Sequence, residues 1–342
     1  MANIKLAVSR KTKQFTFFLH LSKAIFVAAA KVGLKLSFMR RMSFVSQLVM
    51  LIVILLICLI FFSLIGYGLA MLLFDLSFEE LQLASNYKAI QGLKIVQVFS
   101  SLGTYLIPVI ILIYILKEKP IQYLKLNTSV NPWALVVIAL MVITFFPLNG
   151  LIAEWNMALP LPDSLVQYEA QIEATIKRFL QMPTIGDLIV NLIVIALVAA
   201  VAEEVLFRGL IQKMILEKTQ NHHMAIWISA IVFSGIHFQF SGFFPRLFLG
   251  VLFGYVFYWS KSLWYPIIAH FLHNGITVVM VYIYGVEAME GMAADTESGS
   301  QIGMTVGATL VFAALVIHYY RDYRKEEEPL EVSPHSDRSG MD

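Results

Sequence analysis

The sequence has 342 residues, of which 58% are hydrophobic and 14% are charged. A soluble domain needs more charge to cover its surface, so this composition argues against that class and predicts an integral membrane protein. The formal net charge of +2 gives no reason to expect a nucleic-acid partner, and a single cysteine, Cys58, excludes an intramolecular disulfide.

The first segment, residues 1–45, is basic and amphipathic. Its first 41 residues contain nine Lys or Arg and no Asp or Glu. The polar side chains that can share one helical face are His20, Lys23, Lys31 and Lys35. This pattern predicts a helix that lies on an anionic membrane surface, with a weakly ordered basic arm as the alternative. No short apolar core followed by a small-residue cleavage site is present, so a cleavable signal peptide is not expected.

Eight apolar runs predict eight membrane spans, and hence an all-α multi-pass bundle, because about 20 apolar residues cross the hydrocarbon core as a helix. The predicted spans are residues 47–74, 95–116, 133–153, 186–216, 223–240, 243–260, 262–284 and 301–320. The fourth is long enough to tilt or to project beyond the bilayer. The fifth and sixth are short, and the turn FSGFFPR between them indicates a membrane hairpin.

The distribution of basic residues predicts the orientation of these spans. With the N-terminus in the cytoplasm, the cytoplasmic segments contain 20 of the 25 Lys and Arg residues. The five on the other side are Lys88, Lys94, Lys177, Arg178 and Arg246. Because cytoplasmic loops carry the excess of basic residues, both termini are predicted to be cytoplasmic. The charged tail 321–342, which contains Pro and Ser, is predicted to be disordered.

The stretch VAEEVLFRGLI places Glu203, Glu204 and Arg208 in the fourth span. An ionisable side chain at membrane depth costs about 2.5–3.5 kcal/mol on insertion scales and usually marks function or a paired structural role. Glu204 and Arg208 are four residues apart and face each other on a helix, whereas Glu203 points about 100° away. Glu203 is therefore predicted to be the acid available for proton transfer. A purely structural ion-pair network of all three residues is the alternative.

Two further polar patterns lie in later spans. FSGIH places His237 four residues after Phe233, and HFLHN places His270 four residues before Asn274, with His273 a step round the helix. Packing of a lone histidine and interhelical hydrogen bonding by a His/Asn pair are the structural alternatives. Together with a carboxylate, these side chains supply a base, a proton partner and oxyanion donors for attack of water on a carbonyl. Neither HExxH nor GxSxG occurs, so water is the simplest nucleophile.

The motifs EExxxR, FxxxH and HxxxN, in this order on consecutive membrane elements, resemble those of the CPBP family of intramembrane endopeptidases. This family includes CAAX prenyl endopeptidases and bacteriocin-processing or self-immunity proteins. The resemblance covers residues 185–285 and implies that they form a protease core. The remaining segments would then be N-terminal transmembrane helices in residues 46–184 and a loop with the last transmembrane helix in residues 286–320.

The resemblance also implies roles for individual residues. Glu203, helped by His237, would activate water, while His270 and Asn274 would stabilise the tetrahedral oxyanion. The implied catalytic set is Glu203, Glu204, His237, His270 and Asn274. The implied structural supports are Arg208, which with Glu204 would hold the helix and its local charge in place, and Phe233.

The resemblance leaves the cofactor open. A glutamate–histidine mechanism requires none, but the family is also called a metalloprotease, and Glu203, His237 and His270 would then be the ligands of a zinc ion. The implied partners are a peptide or membrane-protein substrate and the lipid bilayer, with no nucleic acid, and the oligomeric state stays open. The motifs are similar in style to the prokaryotic branch, which implies a bacterial plasma membrane.

Two other classes of function fit the same polar residues. A transporter or proton relay also uses acids and histidines at membrane depth, although the repeated spans and broken helices typical of transporters are not evident. A non-catalytic scaffold or immunity factor would use these residues only to join helices. Under the hydrolase hypothesis, we expect the polar side chains to meet in a water-filled cavity that opens towards the cytoplasm.

Overall fold

The computed structural model describes residues 43–84, 86–116, 118–286 and 299–324, and all regular structure in these residues is helical. The helices are α1 (Phe44–Phe74), α2 (Phe78–Leu83), α3 (Tyr87–Ile115), α4 (Pro120–Tyr123), α5 (Pro132–Met157), α6 (Asp163–Phe179), α7 (Ile185–Thr219), α8 (His222–Gly235), α9 (Phe243–Ser260), α10 (Trp264–Tyr284) and α11 (Gly299–Arg324). The predicted all-α fold is confirmed. The predicted helix in the basic N-terminal segment lies outside the described residues.

Within the described residues, seven helices are long and apolar enough to cross a membrane. They are α1, α3, α5, α7, α9, α10 and α11, and each overlaps one of the predicted spans. The chain is therefore a multi-pass membrane protein, as predicted. α11 continues to Arg324, so the first residues of the predicted disordered tail 321–342 are helical, and the rest of that tail lies outside the described residues.

α8 corresponds to the predicted fifth span, residues 223–240, but it ends at Gly235 after only 14 residues. Phe238 adopts a left-handed backbone conformation with φ 52°, which cannot continue a helix. The chain then forms a loop of residues 236–242 before α9 begins. At 1.5 Å per residue, α8 is about 21 Å long and is shorter than the hydrocarbon core of a bilayer.

The ends of the helices lie in two groups, one at each face of the bundle, and hydrogen bonds link members of the same group. At one face, the indole of Trp264 donates to the carbonyl of Leu126 at 2.9 Å. At the other, the side-chain amide of Asn156 donates to the carbonyl of Phe240 at 2.9 Å. The basic residues assign the first face to the cytoplasm, and we refer to the second as the outer face.

The helix that carries the EExxxR motif, α7, is irregular. Two of its segments, Leu192–Val198 and Phe207–Gln212, have π-helical hydrogen bonding, and the α-helical turns between them contain Glu203 and Glu204. Wide turns of this kind are rare inside α-helices and are frequent at functional sites. The two acids thus occupy a short regular stretch between two distortions.

α8 and α9 pack closely because glycines of α9 face α8. A Cβ atom on Gly254 would lie 2.8 Å from Cγ2 of Ile226, and one on Gly250 would lie 3.0 Å from Cβ of Ala230. Small residues are the usual means of close approach between membrane helices. The carbonyl of Gly250 also accepts a hydrogen bond from Arg208 at 2.9 Å, so α9 joins α8 to the motif on α7.

The segment between α5 and α7 contains a helix, α6, that the spans predicted from the sequence do not include. α6 is strongly amphipathic, and none of its residues is buried in the protein. A helix with this character is typical of one that lies along a membrane surface. Its hydropathy is too low for a membrane span, which is why a search for apolar runs passes over it.

Candidate active site

Glu204 and Arg208 form an ion pair inside the bundle, in agreement with the helical spacing. The Glu204 side chain is fully buried, and its Oε1 accepts a hydrogen bond from Nη1 of Arg208 at 2.9 Å. Nη2 of Arg208 donates to the carbonyl of Gly250, and the guanidinium lies 5.0 Å from the ring centre of Phe233 and 5.6 Å from that of Phe253. A carboxylate, a carbonyl and two aromatic faces therefore compensate the buried guanidinium.

His270 connects the two glutamates. Its Nδ1 lies 2.9 Å from Oε1 of Glu204, and its Nε2 lies 3.9 Å from Oε2 of Glu203. Because a carboxylate only accepts hydrogen bonds, Nδ1 carries a proton and donates to Glu204, which leaves Nε2 facing Glu203. The 3.9 Å separation is too long for a direct hydrogen bond. A water molecule beside the pair can nevertheless contact both atoms at about 2.8 Å.

Glu203 lies in the wall of a half-open cavity of about 510 Å³. Its side chain retains 11% of its exposure, whereas Glu204 retains none, so of the two acids only Glu203 reaches the cavity. The lining residues are Gln97, Thr175, Ile176, Phe179, Leu180, Val194, Ile195, Ala199, Glu203, His237, His273, Asn274, Thr277 and Val278. Three residues of the implied catalytic set, Glu203, His237 and Asn274, thus meet in one cavity. His270 does not line the cavity, but its Nε2 lies 3.9 Å from Oε2 of Glu203.

His237 reaches the cavity from the 236–242 loop. Its Nδ1 lies 2.9 Å from the carbonyl of Phe233, so Nδ1 donates and, in the neutral imidazole, Nε2 keeps a free lone pair. The ring of Phe233 packs edge to face against His237 at 5.4 Å and against His270 at 6.1 Å. The phenylalanine of the FxxxH motif therefore contacts both imidazoles as well as Arg208.

Asn274 and His273 line the cavity from α10. Nδ2 of Asn274 donates to the carbonyl of Ile195 at 3.0 Å, within the first π-helical segment of α7. A side-chain amide has two N–H donors, so this hydrogen bond orients the group and leaves one donor over. His273 stacks on Phe146 of α5 with 4.6 Å between ring centres, so it packs α10 against α5 as well as lining the cavity.

Three side chains that no sequence motif marks hold the 236–242 loop. Glu169 of α6 accepts hydrogen bonds from the backbone N–H groups of Phe240 and Ser241. Asn156 of α5 donates to the carbonyl of Phe240, and Arg246 of α9 donates to the carbonyl of Gln239 at 2.7 Å. Each contact joins a side chain to a distant backbone, so local spacing cannot reveal it. The one available signal is a lone polar residue at the end of an apolar run, such as Asn156.

The zinc ligand set implied by the resemblance is not supported by the geometry. Within the described part of the chain, no group of three or more His, Cys, Asp or Glu side chains is arranged to hold a metal ion. The chemistry derived for this site therefore includes no step through a metal.

The cavity extends towards the outer face, whereas a cavity that opens towards the cytoplasm is predicted from the sequence. From Glu203 its lining runs outwards along α7 to Val194 and along α10 to Val278, and it ends at α6. The cavity opens at the face that carries α6, and the predicted cytoplasmic opening stays a prediction, since it depends on the orientation of the spans. The short α8 also explains how His237 reaches the level of Glu203, since the 236–242 loop begins inside the bundle.

Residues 185–276 match the family profile described as Type II CAAX prenyl endopeptidase Rce1-like. This match contains all three motifs and confirms the family resemblance. The chain is also similar to two proteins of Bacillus subtilis. The uncharacterized protein YpbD is 28% identical over 90 residues, which are 25% of this chain and 43% of YpbD. The protein named "Putative membrane peptidase YdiL" is 32% identical over 89 residues, which are 26% of this chain and 36% of YdiL.

The chain thus spans less than half the length of the curated relatives it matches. No solved structure matches it significantly. The family match lies in α7 to α10, the part of the bundle that carries the three motifs.

Proposed function

We propose that this chain, with its Rce1-like match in residues 185–276, is an intramembrane endopeptidase that hydrolyses a peptide bond with water activated by Glu203. The observation that carries the proposal is the contrast between two adjacent acids. Glu204 is bonded to Arg208 and His270 inside the bundle, whereas Glu203 reaches a cavity of about 510 Å³. Such a cavity has room for a water molecule, which occupies about 30 Å³ in the liquid, and for part of a peptide.

In the proposed reaction, the water molecule contacts Oε2 of Glu203 and Nε2 of His270. As the water oxygen attacks the carbonyl carbon of the scissile bond, Glu203 takes one of its protons. The π electrons of the carbonyl move to its oxygen, which becomes an oxyanion. Glu204 contributes by fixing the proton on Nδ1 of His270, so that Nε2 stays directed at the water, as carboxylates do for catalytic histidines elsewhere.

The oxyanion requires hydrogen-bond donors that are already in position. The second N–H of Asn274 is the donor that we propose for this role, because the first is fixed on the carbonyl of Ile195. When the tetrahedral intermediate collapses, the C–N bond breaks and the carbonyl re-forms. The leaving nitrogen then takes the proton held by Glu203, transferred through Nε2 of His237.

The substrate that we propose is a polypeptide segment within or at the membrane, such as a peptide precursor or a membrane protein. The apolar residues around the cavity, which include Ile176, Phe179 and Leu180, favour apolar side chains next to the scissile bond. CAAX-type processing and bacteriocin or immunity processing are both compatible with this substrate class.

The experiment that tests the proposal compares membrane proteomes of cells that express the wild-type protein or Glu203→Gln. Uncut polypeptides should accumulate in the variant, and one of them should then be cleaved in liposomes by the purified wild-type protein alone. Glu217→Gln, an exposed position on the same helix, is the matched control and should cleave normally. Normal cleavage by purified Glu203→Gln would refute the assignment of the base.

A further inference from the structure

α6 forms the outer wall of the Glu203 cavity. Thr175, Ile176 and Phe179 of this helix line the cavity together with α3, α7 and α10. A polypeptide that approaches Glu203 from the outer face along this wall therefore passes α6.

Polar contacts, rather than buried side chains, attach α6 to the bundle. Glu169 accepts hydrogen bonds from Phe240 and Ser241 on one side of the cavity, and Arg178 donates to the carbonyl of Leu83 at 3.1 Å on the other. None of the residues of α6 is buried. Elements with few buried contacts are those that open locally at low free energy, so α6 can move without unfolding the bundle.

A second route to Glu203 would run through the bilayer. A cavity of about 810 Å³ lies between α1, α3, α7 and α8, and it shares Gln97 with the Glu203 cavity. Its exposed lining is almost entirely apolar, which suits lipid chains. A peptide backbone carries a donor and an acceptor on nearly every residue and needs polar partners at depth. On the side of α6, the partners available are Thr175, Asn274 and Thr277.

We propose that α6 is a movable cover over part of this half-open cavity, that Glu169 holds it against the 236–242 loop, and that the substrate polypeptide reaches Glu203 beneath it from the outer face. The substrate class is therefore a polypeptide segment on the side of the membrane opposite both termini of the chain. This inference rests on the proposed peptidase function, and its sidedness rests on the distribution of basic residues.

The route is tested by chemical blocking in a Cys58→Ala background. Thr175→Cys is treated with a bulky, membrane-impermeant maleimide on sealed vesicles of known orientation. Labelling should occur from the outer side alone and should abolish cleavage. Ser164→Cys, at the exposed start of α6, should be labelled from the same side with no loss of cleavage. Two results would overturn this route and favour the bilayer cavity. One is full cleavage by labelled Thr175→Cys, and the other is labelling from the cytoplasmic side alone.

The closing contact is tested by access to Thr277→Cys, which lies in the cavity behind α6. Glu169→Ala should accelerate labelling of this cysteine about tenfold, the equivalent of one hydrogen bond to a charged group. Glu173→Ala is the matched control, because Glu173 is exposed on the same helix and pairs only within it, with Lys177 at 2.7 Å. Equal labelling rates in the two variants would overturn the cover. These rates do not depend on catalysis, so failure of the peptidase proposal would be seen separately, as normal cleavage by Glu203→Gln.

Discussion

At the scale of residues, Glu203 and Glu204 are separated by one peptide bond and by about 100° around α7. That rotation directs Glu204 to Arg208 and His270 in the interior and leaves Glu203 at the cavity. The division is predictable from the sequence, because side-chain direction on a helix is a local property. The pairing of His270 with Glu204 is not predictable in this way, since it depends on how α10 packs against α7.

Loss of Glu204 should affect folding before it affects chemistry. In Glu204→Ala, Arg208 keeps a buried charge without its carboxylate, and removal of one partner from a buried pair costs about 3–5 kcal/mol of unfolding free energy. Unfolding of the purified variants in detergent measures the effect. Glu203→Gln should unfold close to the wild type, because its side chain borders the cavity. Equal losses in the two variants would contradict separate structural and chemical roles.

Asn274 should influence the rate of cleavage more than substrate binding. Removal of one preorganised oxyanion donor lowers kcat by about 10²–10³, because the oxyanion forms only in the transition state. Steady-state kinetics of Asn274→Ala on a cleaved substrate should show this decrease with little change in KM. The unfolding temperature of the variant checks that loss of the hydrogen bond to Ile195 has not disrupted α7. A raised KM with wild-type kcat would instead indicate a binding role.

At the scale of elements, most of the long apolar helices are predictable within a few residues, whereas α3 begins at Tyr87 rather than at the predicted residue 95 and α6 is not predicted at all. Apolar runs in the sequence locate α1, α5 and α10, because whether a helix can lie in lipid depends mainly on its own composition. α6 carries acids and bases along much of its length, and only its tertiary contacts reveal that it covers a cavity. The three motifs are thus accessible to sequence reasoning, but the direction from which the proposed substrate would reach them is not.

The contact between α6 and the 236–242 loop should weaken in acid. Partial burial raises the pKa of Glu169, but the hydrogen bonds from Ser241 and Phe240 and the nearby Arg246 lower it more, so the net pKa lies below its ordinary value. Because the pKa of Glu169 is lower in the folded state, the contact stabilises the folded protein fully above the unfolded-state pKa of about 4.3. This stabilisation is lost as the pH falls through the folded-state pKa.

A spin label on Ser164→Cys should therefore gain mobility only as the pH falls below about 4. Glu169→Gln is the control that isolates this group from the other acids of α6. Its label should be mobile already at neutral pH and should respond much less to acid. An acid response as large in Glu169→Gln as in the parent would assign the effect to other carboxyl groups.

Packing between α1 and α3 depends on the absence of a side chain at Gly103. A Cβ atom there would lie 2.5 Å from Cβ of Phe62 and 2.8 Å from the carbonyl oxygen of Cys58, and neither atom can move without moving α1. Gly103→Ala should lower the unfolding free energy by about 1–3 kcal/mol, the usual effect of overpacking. Gly68→Ala on α1 is the matched control, because its Cβ meets nothing within 4 Å. It should be neutral or stabilising in the same unfolding assay.

At the scale of the whole molecule, the bundle places irregular backbone at depth and pairs several of its polar groups with side chains of other elements. The 236–242 loop follows a helix of only about 21 Å, so it begins below the outer surface of a core about 30 Å thick. Non-helical backbone is tolerated there only when protein groups satisfy it. Asn156, Glu169 and Arg246, from three different elements, supply those groups. The same contacts that make a short α8 acceptable also position His237 at the cavity.

The alternation of the spans depends on α8 crossing the bilayer despite its length. A reporter that is active only in the cytoplasm should be active when fused after Gln220 and inactive when fused after Ser241, with the opposite result for a reporter that is active only outside. If α8 does not cross, both fusions will report the same side, and the C-terminus will move to the face opposite the N-terminus. The 236–242 loop would then lie on the cytoplasmic face while α6, between α5 and α7, stays on the outer face, and the hydrogen bonds that join this loop to Glu169 and Asn156 could not form. Fusions after Ser129 and Leu161, which flank the much longer α5, calibrate the two signals, because 26 residues cross the membrane without assistance.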